Sequence, residues 1–265
     1  MRSSRRLGQH FLIDAAVVDA VVDALAPPAD AGVFEIGCGT GVLTVALAQL
    51  AGRVVAVDVD PECARLAATA TGAFPTCTVV RADAMQVDPT ELGIGAPWLC
   101  AGNLPYRLTG RLISHVLELP SPPLRAVFMV QREVAARLAA EPGGWSLATV
   151  AVRSLASVER VLDVPPSAFD PPPAVHSSLI RLVPSPAFED AVRVAVLDLA
   201  RVAFQARRKT LRHGVARALG GDLDAAASAL DRAGIQIGRR PGTLHLDEWQ
   251  RLAGAVASVR APAGR

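Results

Sequence analysis

Short apolar runs alternate with helix-like segments along the first half of this chain, and this alternation constrains the fold more than any other feature. The runs lie at residues 33–36, 54–58, 78–83, 98–101 and 126–130. Each is almost wholly apolar, as expected for a strand that is buried on both faces. Apolar residues at helical spacing fill the intervals, at 14–25, 42–50, 61–70 and 109–119. The order strand, helix, strand predicts a parallel sheet with helices on both faces.

The pattern changes after residue 133. It then indicates helices at 134–138 and 146–155, and strands at 158–164 and 175–183 that are joined by a proline-dense loop. Two strands joined in this way predict an antiparallel hairpin at the edge of the parallel sheet. Pro184-Ser185-Pro186 marks a domain boundary, and the chain beyond it indicates helices at 190–219, 223–233 and 246–259, with Gly214 as a break point in the first. We therefore expect an α/β domain over 1–184 and a small all-helical domain over 185–265.

Basic residues concentrate in the C-terminal third. Residues 1–170 carry 13 basic and 17 acidic side chains, whereas residues 171–265 carry 14 and 8. A surplus of positive charge in one part of a chain indicates a polyanionic partner. In the predicted helix 190–219, Arg201, Arg208 and Arg212 are spaced at i, i+7 and i+11, and Arg207 and Lys209 flank them. This face is predicted to bind duplex RNA through its phosphates, with a solvated helix face as the alternative.

Cysteine and histidine spacing gives neither a metal pattern nor a disulfide pattern. The four cysteines, Cys38, Cys63, Cys77 and Cys100, have no C-x-x-C spacing, and no histidine pair has metal-ligand spacing. We expect reduced thiols in an intracellular protein and no metal site. The basic N-terminus is not followed by the apolar segment of a signal peptide, and no run is long enough to cross a membrane. We therefore expect a cytoplasmic monomer that does not contact a membrane.

A glycine-rich loop, Glu35-Ile36-Gly37-Cys38-Gly39-Thr40-Gly41, follows the first predicted strand. Glycines let the backbone approach a ligand closely. The G-x-G-x-G spacing differs from the G-x-G-x-x-G of dinucleotide sites and resembles motif I of S-adenosylmethionine-dependent methyltransferases. Asp58 and Asp83 end the next two strands, so they should share one crevice with the loop. We predict that Asp58 accepts hydrogen bonds from ribose hydroxyls and Asp83 from an adenine amino group; the alternative is that both cap helices.

A second motif, Gly-Asn-Leu-Pro-Tyr at 102–106, follows the fourth predicted strand. Pro105 fixes its own φ and keeps Leu104 out of the helical region, so the chain stays extended past the strand end. The Asn103 amide and the Leu104 carbonyl are then two acceptors beside the flat ring of Tyr106. This arrangement suits a planar base that carries an exocyclic amino group, whereas the alternative is an ordinary turn between strand and helix.

The family resemblance is carried by motifs along the whole chain. Leu7-Gly8-Gln9-His10-Phe11-Leu12 resembles the opening G-Q-N-F-L motif of ribosomal RNA adenine dimethyltransferases. Segments 103–106, 130–134, 165–169 and 171–175 then match that family in order. The resemblance implies a Rossmann-like class I methyltransferase domain over 1–184 and a helical RNA-binding domain over 185–265. Segments 204–212 and 240–244 resemble the small-subunit branch, known as KsgA, more than the large-subunit branch, known as Erm.

The resemblance also implies a reaction. The expected activity is dimethylation of the amino groups of two adjacent adenines near the 3′ end of small-subunit (16S) ribosomal RNA, with S-adenosyl-L-methionine as the methyl donor. A role in small-subunit biogenesis is expected alongside it, and ribosomal RNA within the small ribosomal subunit is the expected partner. The alternative is Erm-type methylation of large-subunit (23S) RNA, which confers macrolide resistance.

Site residues follow from the motifs and the resemblance. The cofactor-binding residues are expected to be His10, Leu12, Gly37, Gly39, Asp58, Asp83 and Asn103. His10 stands where the family has Asn, and an imidazole cannot both donate and accept as an amide does. The catalytic pocket is expected to consist of Asn103, Leu104, Pro105, Tyr106 and Phe169. Phe169 would stack on the base opposite Tyr106, with a buried position beneath the proline loop as the alternative.

Three other classes of protein share part of this pattern. A nicotinamide oxidoreductase shares the sheet and the acid after the second strand, but its glycine spacing and a proton donor are missing. A DNA adenine methyltransferase shares the arrangement of Asn, Pro and Tyr beside the target base, but it would need a target-recognition domain larger than the C-terminal third. A non-catalytic factor that binds immature small subunits as a placeholder is the third alternative, and such binding is also compatible with a second role of an enzyme.

Overall fold

The structure is a computed structural model that describes residues 9–260 of the chain. Leu7 and Gly8 of the opening motif therefore lie outside the described residues. The chain divides into two compact units. Within the described residues, one unit contains residues 9–136 together with Ser157–Pro184, and the other contains Arg137–Ala156 together with residues 185–260. Each unit has its own apolar core, one built around a sheet and the other among helices.

The first unit is built on a seven-stranded sheet. The strands are β2 (Gly32–Ile36), β3 (Arg53–Asp58), β4 (Cys77–Arg81), β5 (Trp98–Asn103), β6 (Arg125–Gln131), β7 (Ala156–Val164) and β9 (Ser177–Pro184). Their order in the sheet is β4-β3-β2-β5-β6-β9-β7. Neighbours from β4 to β6 pair in parallel, whereas β9 pairs antiparallel with β6. The prediction of a mostly parallel sheet with an antiparallel edge is confirmed.

A separate two-stranded sheet joins β1 (Phe11–Leu12) to β8 (Phe169–Asp170) in the antiparallel direction. A 3₁₀ turn over Pro166–Ala168 leads into β8. Periodicity cannot reveal strands of two residues, so the sequence analysis did not predict this pair. Its consequence is that Phe11–Leu12 is fixed to the proline-rich loop.

Helices cover the sheet as the alternation predicted. They are α1 (Ala15–Leu25), α2 (Val42–Ala48), α3 (Pro61–Ala70), α4 (Thr109–Leu117) and α5 (Arg132–Leu138). Asp14 caps α1, because its carboxylate accepts from the N–H groups of Ala16 and Val17 at 2.9 and 3.4 Å. The buried face of α1 joins the main core with residues of β2, β5 and β6.

The second unit contains α6 (Leu147–Arg153), α7 (Asp190–Phe204), α8 (Leu211–Ala218), α9 (Leu223–Arg232) and α10 (Leu246–Arg260). The predicted first domain extended without interruption to Pro184, and this boundary is corrected for residues 137–156. Trp145 and Val150 belong to the helical core around Trp249. The Gly242 carbonyl also accepts from the N–H groups of Gly143 and Trp145, at 2.7 and 3.3 Å. Burial of two large apolar side chains therefore decides where this segment packs.

The predicted helix over 190–219 is two helices, and the break is not at Gly214. The chain turns at residues 205–210, and α8 folds back so that Leu211 and Val215 are buried in the core of the unit. Gly214 lies inside α8, where a Cβ would stand 2.8 Å from the Cα of Ala203 on α7. The glycine therefore allows close packing of two helices. An unbroken helix would also place Arg208 and Arg212 as a repelling i, i+4 pair.

Three further features of the described residues concern membrane spans, thiols and metal ligands. None of the helices within residues 9–260 is long and apolar enough to span a bilayer. The four cysteines are free thiols. Over the same range, no group of three or more His, Cys, Asp or Glu side chains is arranged to hold a metal ion.

The close approach of β5 to β2 gives a first prediction. A Cβ at Gly102 would overlap the Ile36 carbonyl oxygen on β2, so Gly102→Ala must push the two strands apart. We expect this substitution to lower the free energy of unfolding by about 1–3 kcal/mol. Gly110→Ala is the matched control, because a Cβ there meets nothing within 4 Å and alanine favours the helix by about 0.5–1 kcal/mol. Urea denaturation of both variants measures the difference, and equal midpoints would contradict the overlap.

A buried acid on β2 gives a second prediction. Glu35 is 1% exposed, and burial raises its pKa from the ordinary 4.5 to about 7. The unfolded chain therefore releases this proton at a lower pH than the folded protein does, so the contribution of Glu35 to stability falls as pH rises from 4.5 to 7. The total loss is about 3 kcal/mol above pH 7. Glu35→Gln should abolish this slope, and urea midpoints of both proteins between pH 4.5 and 8 will show whether it does.

Candidate active site

The carboxyl ends of the parallel strands bring the predicted motifs to one edge of the sheet. Ile36 pairs with Val57, and Glu35 pairs with Ala101, so β2, β3 and β5 end close together. The N–H groups of Gly37 and Cys38 both donate to the Val57 carbonyl, at 2.8 and 3.2 Å. The glycine loop, Asp58 and Asn103 therefore lie side by side, as the alternation of strands and helices predicted.

The glycine loop is an open backbone cradle. Gly37, Gly39 and Gly41 have φ values of 77°, 54° and 88°, in the left-handed region that favours glycine. A Cβ at Gly37 would stand 3.5 Å from the Asn103 carbonyl oxygen, and one at Gly41 would stand 2.9 Å from the Cα of Ala67. Side chains at these positions would fill the cradle or clash with α3. The glycines thus keep the space between the loop and β5 clear.

Asp58 fixes the loop to the end of β3. Its Oδ2 accepts from the Gly39 N–H at 3.0 Å, and its Oδ1 accepts from the Asp60 N–H at 2.9 Å. Burial raises the pKa of Asp58, and these backbone hydrogen bonds offset part of the rise. The helix α3 is capped by Asp60, which accepts from the Glu62 N–H at 2.9 Å. The cap alternative for Asp58 is therefore wrong, and both of its oxygens keep a lone pair for a ligand.

Asp83 lies two residues beyond the end of β4. Its Oδ1 accepts from the Met85 N–H at 2.9 Å, within a turn and not at the start of a helix. No residue between 9 and 260 donates a hydrogen bond to its Oδ2. This carboxylate is half-buried, so Asp83 has an unused acceptor at the same edge of the sheet.

Glu35 is a residue of this site to which the sequence analysis gave no role. It lies directly beneath the loop, and its Oε2 is buried without a hydrogen-bond partner in the described chain. Burial raises its pKa to about 7; the Thr44 hydroxyl offsets part of that rise, and the neighbouring Asp58 carboxyl adds to it. Its position inside an otherwise apolar run was the available signal, because a lone acid in a buried strand is rare without a function.

Asn103 is held in one orientation at the end of β5. Its Nδ2 donates to the His10 carbonyl oxygen at 2.8 Å, so the planar amide directs its Oδ1 the other way. The Leu104 side chain is buried, and its N–H donates to the Met129 carbonyl at 3.1 Å. Neither the Asn103 Oδ1 nor the Leu104 carbonyl accepts a hydrogen bond from any residue within 9–260. These are the two acceptors that the motif predicted.

Tyr106 and Pro105 complete the segment. The Tyr106 hydroxyl is hydrogen-bonded to the Ser177 Oγ at 2.8 Å, and burial raises the pKa of this phenol. The Pro105 carbonyl accepts from the Leu108 N–H at 2.9 Å, which forms the turn that precedes α4. The ring of Tyr106 is therefore fixed at its polar end by Ser177, which is the first residue of β9.

His10 contacts this segment through both its backbone and its ring. The ring stacks on Tyr106 with centroids 5.9 Å apart at 28°, and Nδ1 lies 2.7 Å from the Pro171 carbonyl oxygen. A carbonyl only accepts, so Nδ1 carries a proton and the neutral ring keeps Nε2 as an acceptor. His10 therefore lies against one face of the Tyr106 ring.

Leu12 and Phe169 face the core. The two residues pair between β1 and β8 and belong to the main apolar cluster. Phe169 is 2% exposed, because alternation along β8 turns it inward and turns Asp170 outward. The expected open stacking face of Phe169 is therefore corrected: the ring is a core residue beneath the proline loop. Leu12 can meet a cofactor only through its backbone.

The predicted basic residues do not share one helix face. Arg201 on α7 pairs with Asp198 at 2.6 Å, and Arg212 on α8 bonds to the Leu223 carbonyl at 3.2 Å. Arg207, Arg208 and Lys209 lie in the exposed turn between these helices. Their side chains have no ion-pair partner among residues 9–260. The break between α7 and α8 thus concentrates the unpaired cations in one turn.

A second basic segment lies beside that turn. The Leu211 N–H donates to the Arg239 carbonyl at 2.8 Å, which places residues 239–240 next to the start of α8. Arg239 is paired with Glu248, whereas Arg240 is exposed. Arg240 is therefore a fourth exposed cation that the sequence analysis did not include among the site residues.

Comparison with known proteins gives consistent results. The family model for ribosomal RNA adenine dimethylase matches residues 1–253. A relative from Dehalococcoides mccartyi, named ribosomal RNA small subunit methyltransferase A, is 36% identical over 255 residues, which are 95% of this chain and 88% of the relative. A relative of the same name from Anaeromyxobacter dehalogenans is 38% identical over 273 residues, covering 97% of this chain and 94% of the relative.

Solved structures share the fold over nearly the whole chain. The 23S rRNA methyltransferase ErmE superposes with a TM-score of 0.74 at 26% identity, covering 93% of this chain and 99% of that one. A dimethyladenosine transferase from Plasmodium falciparum gives 0.77 at 24% identity, covering 92% and 96%. The resemblance drawn from the motifs is confirmed: this chain belongs to the ribosomal RNA adenine dimethylase family, in its small-subunit (KsgA) branch.

Proposed function

We propose that this protein dimethylates the exocyclic amino groups of two adjacent adenines near the 3′ end of small-subunit (16S) ribosomal RNA. Relatives that are 33–38% identical carry the name ribosomal RNA small subunit methyltransferase A, which favours this substrate over 23S RNA. The observation that carries the proposal is the pair of unused acceptors, Asn103 Oδ1 and the Leu104 carbonyl, next to Tyr106. Two fixed acceptors match the two N–H groups of an adenine amine.

The methyl donor of this family is S-adenosylmethionine, and the residues at the sheet edge fit it. Gly37 and Gly39 bring no side chain of their own into the cradle, although the Phe11 ring lies against Gly39. The Asp58 and Asp83 carboxylates keep acceptor sites for hydroxyl and amino groups. When bound, the sulfonium supplies an electrophilic methyl group. Gly37 and Gly39 would contact its amino-acid end through the backbone, Asp58 the ribose and Asp83 the adenine. His10 would offer its Nε2, and Leu12 its backbone.

In this proposal, the protein promotes the reaction by orienting the adenine amine towards the methyl group. An adenine amine is a weak nucleophile, because its lone pair is delocalised into the ring. Hydrogen bonds to Asn103 Oδ1 and the Leu104 carbonyl favour the pyramidal amine and stabilise the positive charge that develops on nitrogen, as an oxyanion hole does for negative charge. Correct placement of two reactants can contribute about 7–11 kcal/mol. Water can take the proton after attack, so no general base is required.

The target adenine must leave its stack to reach these acceptors, which costs a few kcal/mol. The free face of Tyr106 offsets part of this, since stacking on an aromatic side chain contributes about 1–3 kcal/mol per base. The hydrogen bond to Ser177 and the stacked His10 ring hold Tyr106 in place, so little side-chain entropy is lost when the base arrives. The first unit thus supplies the reaction site.

The second unit supplies the RNA-binding surface in this proposal. Arg207, Arg208, Lys209 and Arg240 are exposed, whereas Arg201 and Arg212 are bonded to neighbours. Unpaired cations bind phosphates at less cost, because no intramolecular pair must break. We expect the enzyme to act as a cytoplasmic monomer on assembling small subunits, without a metal.

A substrate comparison tests the proposal. Labelled S-adenosylmethionine is offered to unmodified small subunits and, separately, to protein-free large-subunit RNA. We expect label in two neighbouring adenines of the small subunit, identified by mass spectrometry of nuclease fragments. Label in the large-subunit RNA alone would favour the Erm-type alternative, and label in neither would leave the role of a non-catalytic assembly factor.

Removal of the side-chain acceptor tests the mechanism. Asn103→Ala should lower kcat by about 10²–10³-fold, the effect of losing one fixed hydrogen-bonding group from a reaction site. Its affinity for S-adenosylhomocysteine, measured by calorimetry, should change far less, because the cradle and both carboxylates remain. A full turnover rate in this variant would exclude the proposed role of Asn103.

The exposed turn gives a prediction with an internal control. Replacing Arg207 and Arg208 together by Ala should weaken binding to small subunits and reduce the slope of log K against log salt by about 0.7–0.9 per lost phosphate contact. Arg201→Ala should change both quantities little, since Arg201 is already paired with Asp198. Filter binding at several salt concentrations measures the slopes. Equal effects of both changes would show that the turn is not a phosphate-binding surface.

A further inference from the structure

A cavity lies at the carboxyl end of β6, outside the cofactor cradle. Its volume is about 350 Å³, and it is lined by Gln131, Arg132, Glu133, Ala174, Val175 and His176. One wall continues from β6 into the start of α5, and the other is the segment that enters β9. The Arg132 N–H donates to the His176 carbonyl at 3.0 Å, so the two walls are joined at the base of the cavity.

The cavity is one residue away from the proposed base site. Gln131 pairs with Ser177 across β6 and β9, and the Ser177 Oγ is bonded to the Tyr106 hydroxyl. His176 and Arg132 are the next residues along their strands, and one residue advances a strand by about 3.3 Å. A ligand that fills the cavity would therefore lie within a few ångströms of the residue that holds Tyr106.

The order of the strands separates the cavity from the cofactor. The cradle, Asp58 and Asp83 follow β2, β3 and β4, on one side of β5 in the sheet. The cavity follows β6 and precedes β9, on the other side. Asn103 ends β5 and stands between the two. The cavity is therefore placed for the RNA strand and not for the methyl donor.

The lining has the chemistry of a nucleotide site. Arg132 is exposed, and its guanidinium has no hydrogen bond or ion pair among residues 9–260. The Ser178 hydroxyl and Arg160 lower the pKa of Asp163, and the charge of Arg132 adds only a smaller effect. Such an arginine suits a phosphate. Val175 is 44% exposed and gives an apolar wall for a base. Glu133, the single carboxylate of the lining, already interacts with another residue of the protein.

We propose that this cavity binds the nucleotide next to the target adenine, with its phosphate on Arg132 and its base against Val175. The inference rests on the proposed function, because the covalent RNA backbone must leave the Tyr106 site within one nucleotide step. The volume is at the low end of about 300–1,000 Å³ for ligand sites, which fits a single nucleotide and not a duplex. For two adjacent target adenines, one lies in the cavity while the other faces Asn103.

A pair of variants at Val175 isolates the charge effect. The side chains introduced by Val175→Glu and Val175→Gln have nearly the same shape. Both replace an exposed side chain, so the two variants should fold alike. The carboxylate of Val175→Glu would repel the phosphate on Arg132. We expect its KM for unmodified small subunits to be about tenfold above that of Val175→Gln, which is the effect of one unfavourable charge pair. The affinity for S-adenosylhomocysteine should be the same in both.

A second pair of variants, Arg132→Ala and Arg65→Ala, tests whether a change in KM comes from misfolding. Arg132→Ala should raise KM for small subunits about tenfold through loss of a charge-assisted hydrogen bond. The control is Arg65→Ala on α3, where the arginine is exposed and paired with Glu62; its KM should equal that of the wild type. Inhibition of methylation by the dinucleotide adenylyl-adenosine should also weaken in Arg132→Ala, whereas weak inhibition by adenosine should not change.

The outcomes separate this inference from the proposed function. If the wild type methylates small subunits and the two members of each pair behave alike, the cavity does not bind the flanking nucleotide and the inference is overturned. If the charged variant and Arg132→Ala both raise KM while cofactor affinity is unchanged, the inference is supported. Absence of small-subunit methylation by the wild type would overturn the proposed function itself, and the inference with it.

Discussion

The hydrogen bond from the Asn103 amide to the His10 carbonyl is the interaction on which this site depends. It spans 93 positions of the chain and decides which way the amide oxygen points. The His10 ring continues the connection, since it bonds to the Pro171 carbonyl and stacks on Tyr106. A segment at the N-terminus, the end of β5 and the proline loop are thereby held as one assembly. Loss of any one of these contacts would remove a restraint on the Asn103 amide and the Tyr106 ring, the groups to which the proposed mechanism assigns the target base.

The family position of His10 shows how such an assembly tolerates change. Asn103 bonds to the backbone of residue 10 and not to its side chain, so an imidazole can replace an amide there without releasing Asn103. The resemblance places Asn at this position in the family; in this chain the His10 ring stacks on Tyr106, and the His10 carbonyl accepts from Asn103.

Much of the fold follows from the sequence because its signals are local. Apolar runs give the strands, Asp14 gives the start of α1, and strand order places the glycine loop, Asp58 and Asn103 at one edge. The corrections all come from tertiary packing. Trp145 and Val150 join the helical core, although the sequence around them has the same pattern as a helix that covers a sheet. The turn at 205–210 follows from burial of Leu211 and Val215, and Phe169 is turned inward by a strand of two residues. Glu35 was visible as a lone acid in an apolar run, but its burial depends on the loop above it.

The position of the reaction site has a topological cause. In the order β4-β3-β2-β5-β6, the chain moves outward through β3 and β4 and then returns to β5 on the other side of β2. The loops that follow β2 and β5 therefore diverge, and a crevice opens between them. Gly102 brings β5 so close to the Ile36 carbonyl that no side chain fits there, and Gly37 keeps the mouth of the crevice clear below the Asn103 carbonyl. In the proposed reaction, a methyl donor on the β2 side and an amine on the β5 side would meet across this gap. The glycines on both of its walls would then limit the distance between the two reactants, and the Asn103 amide would orient the amine.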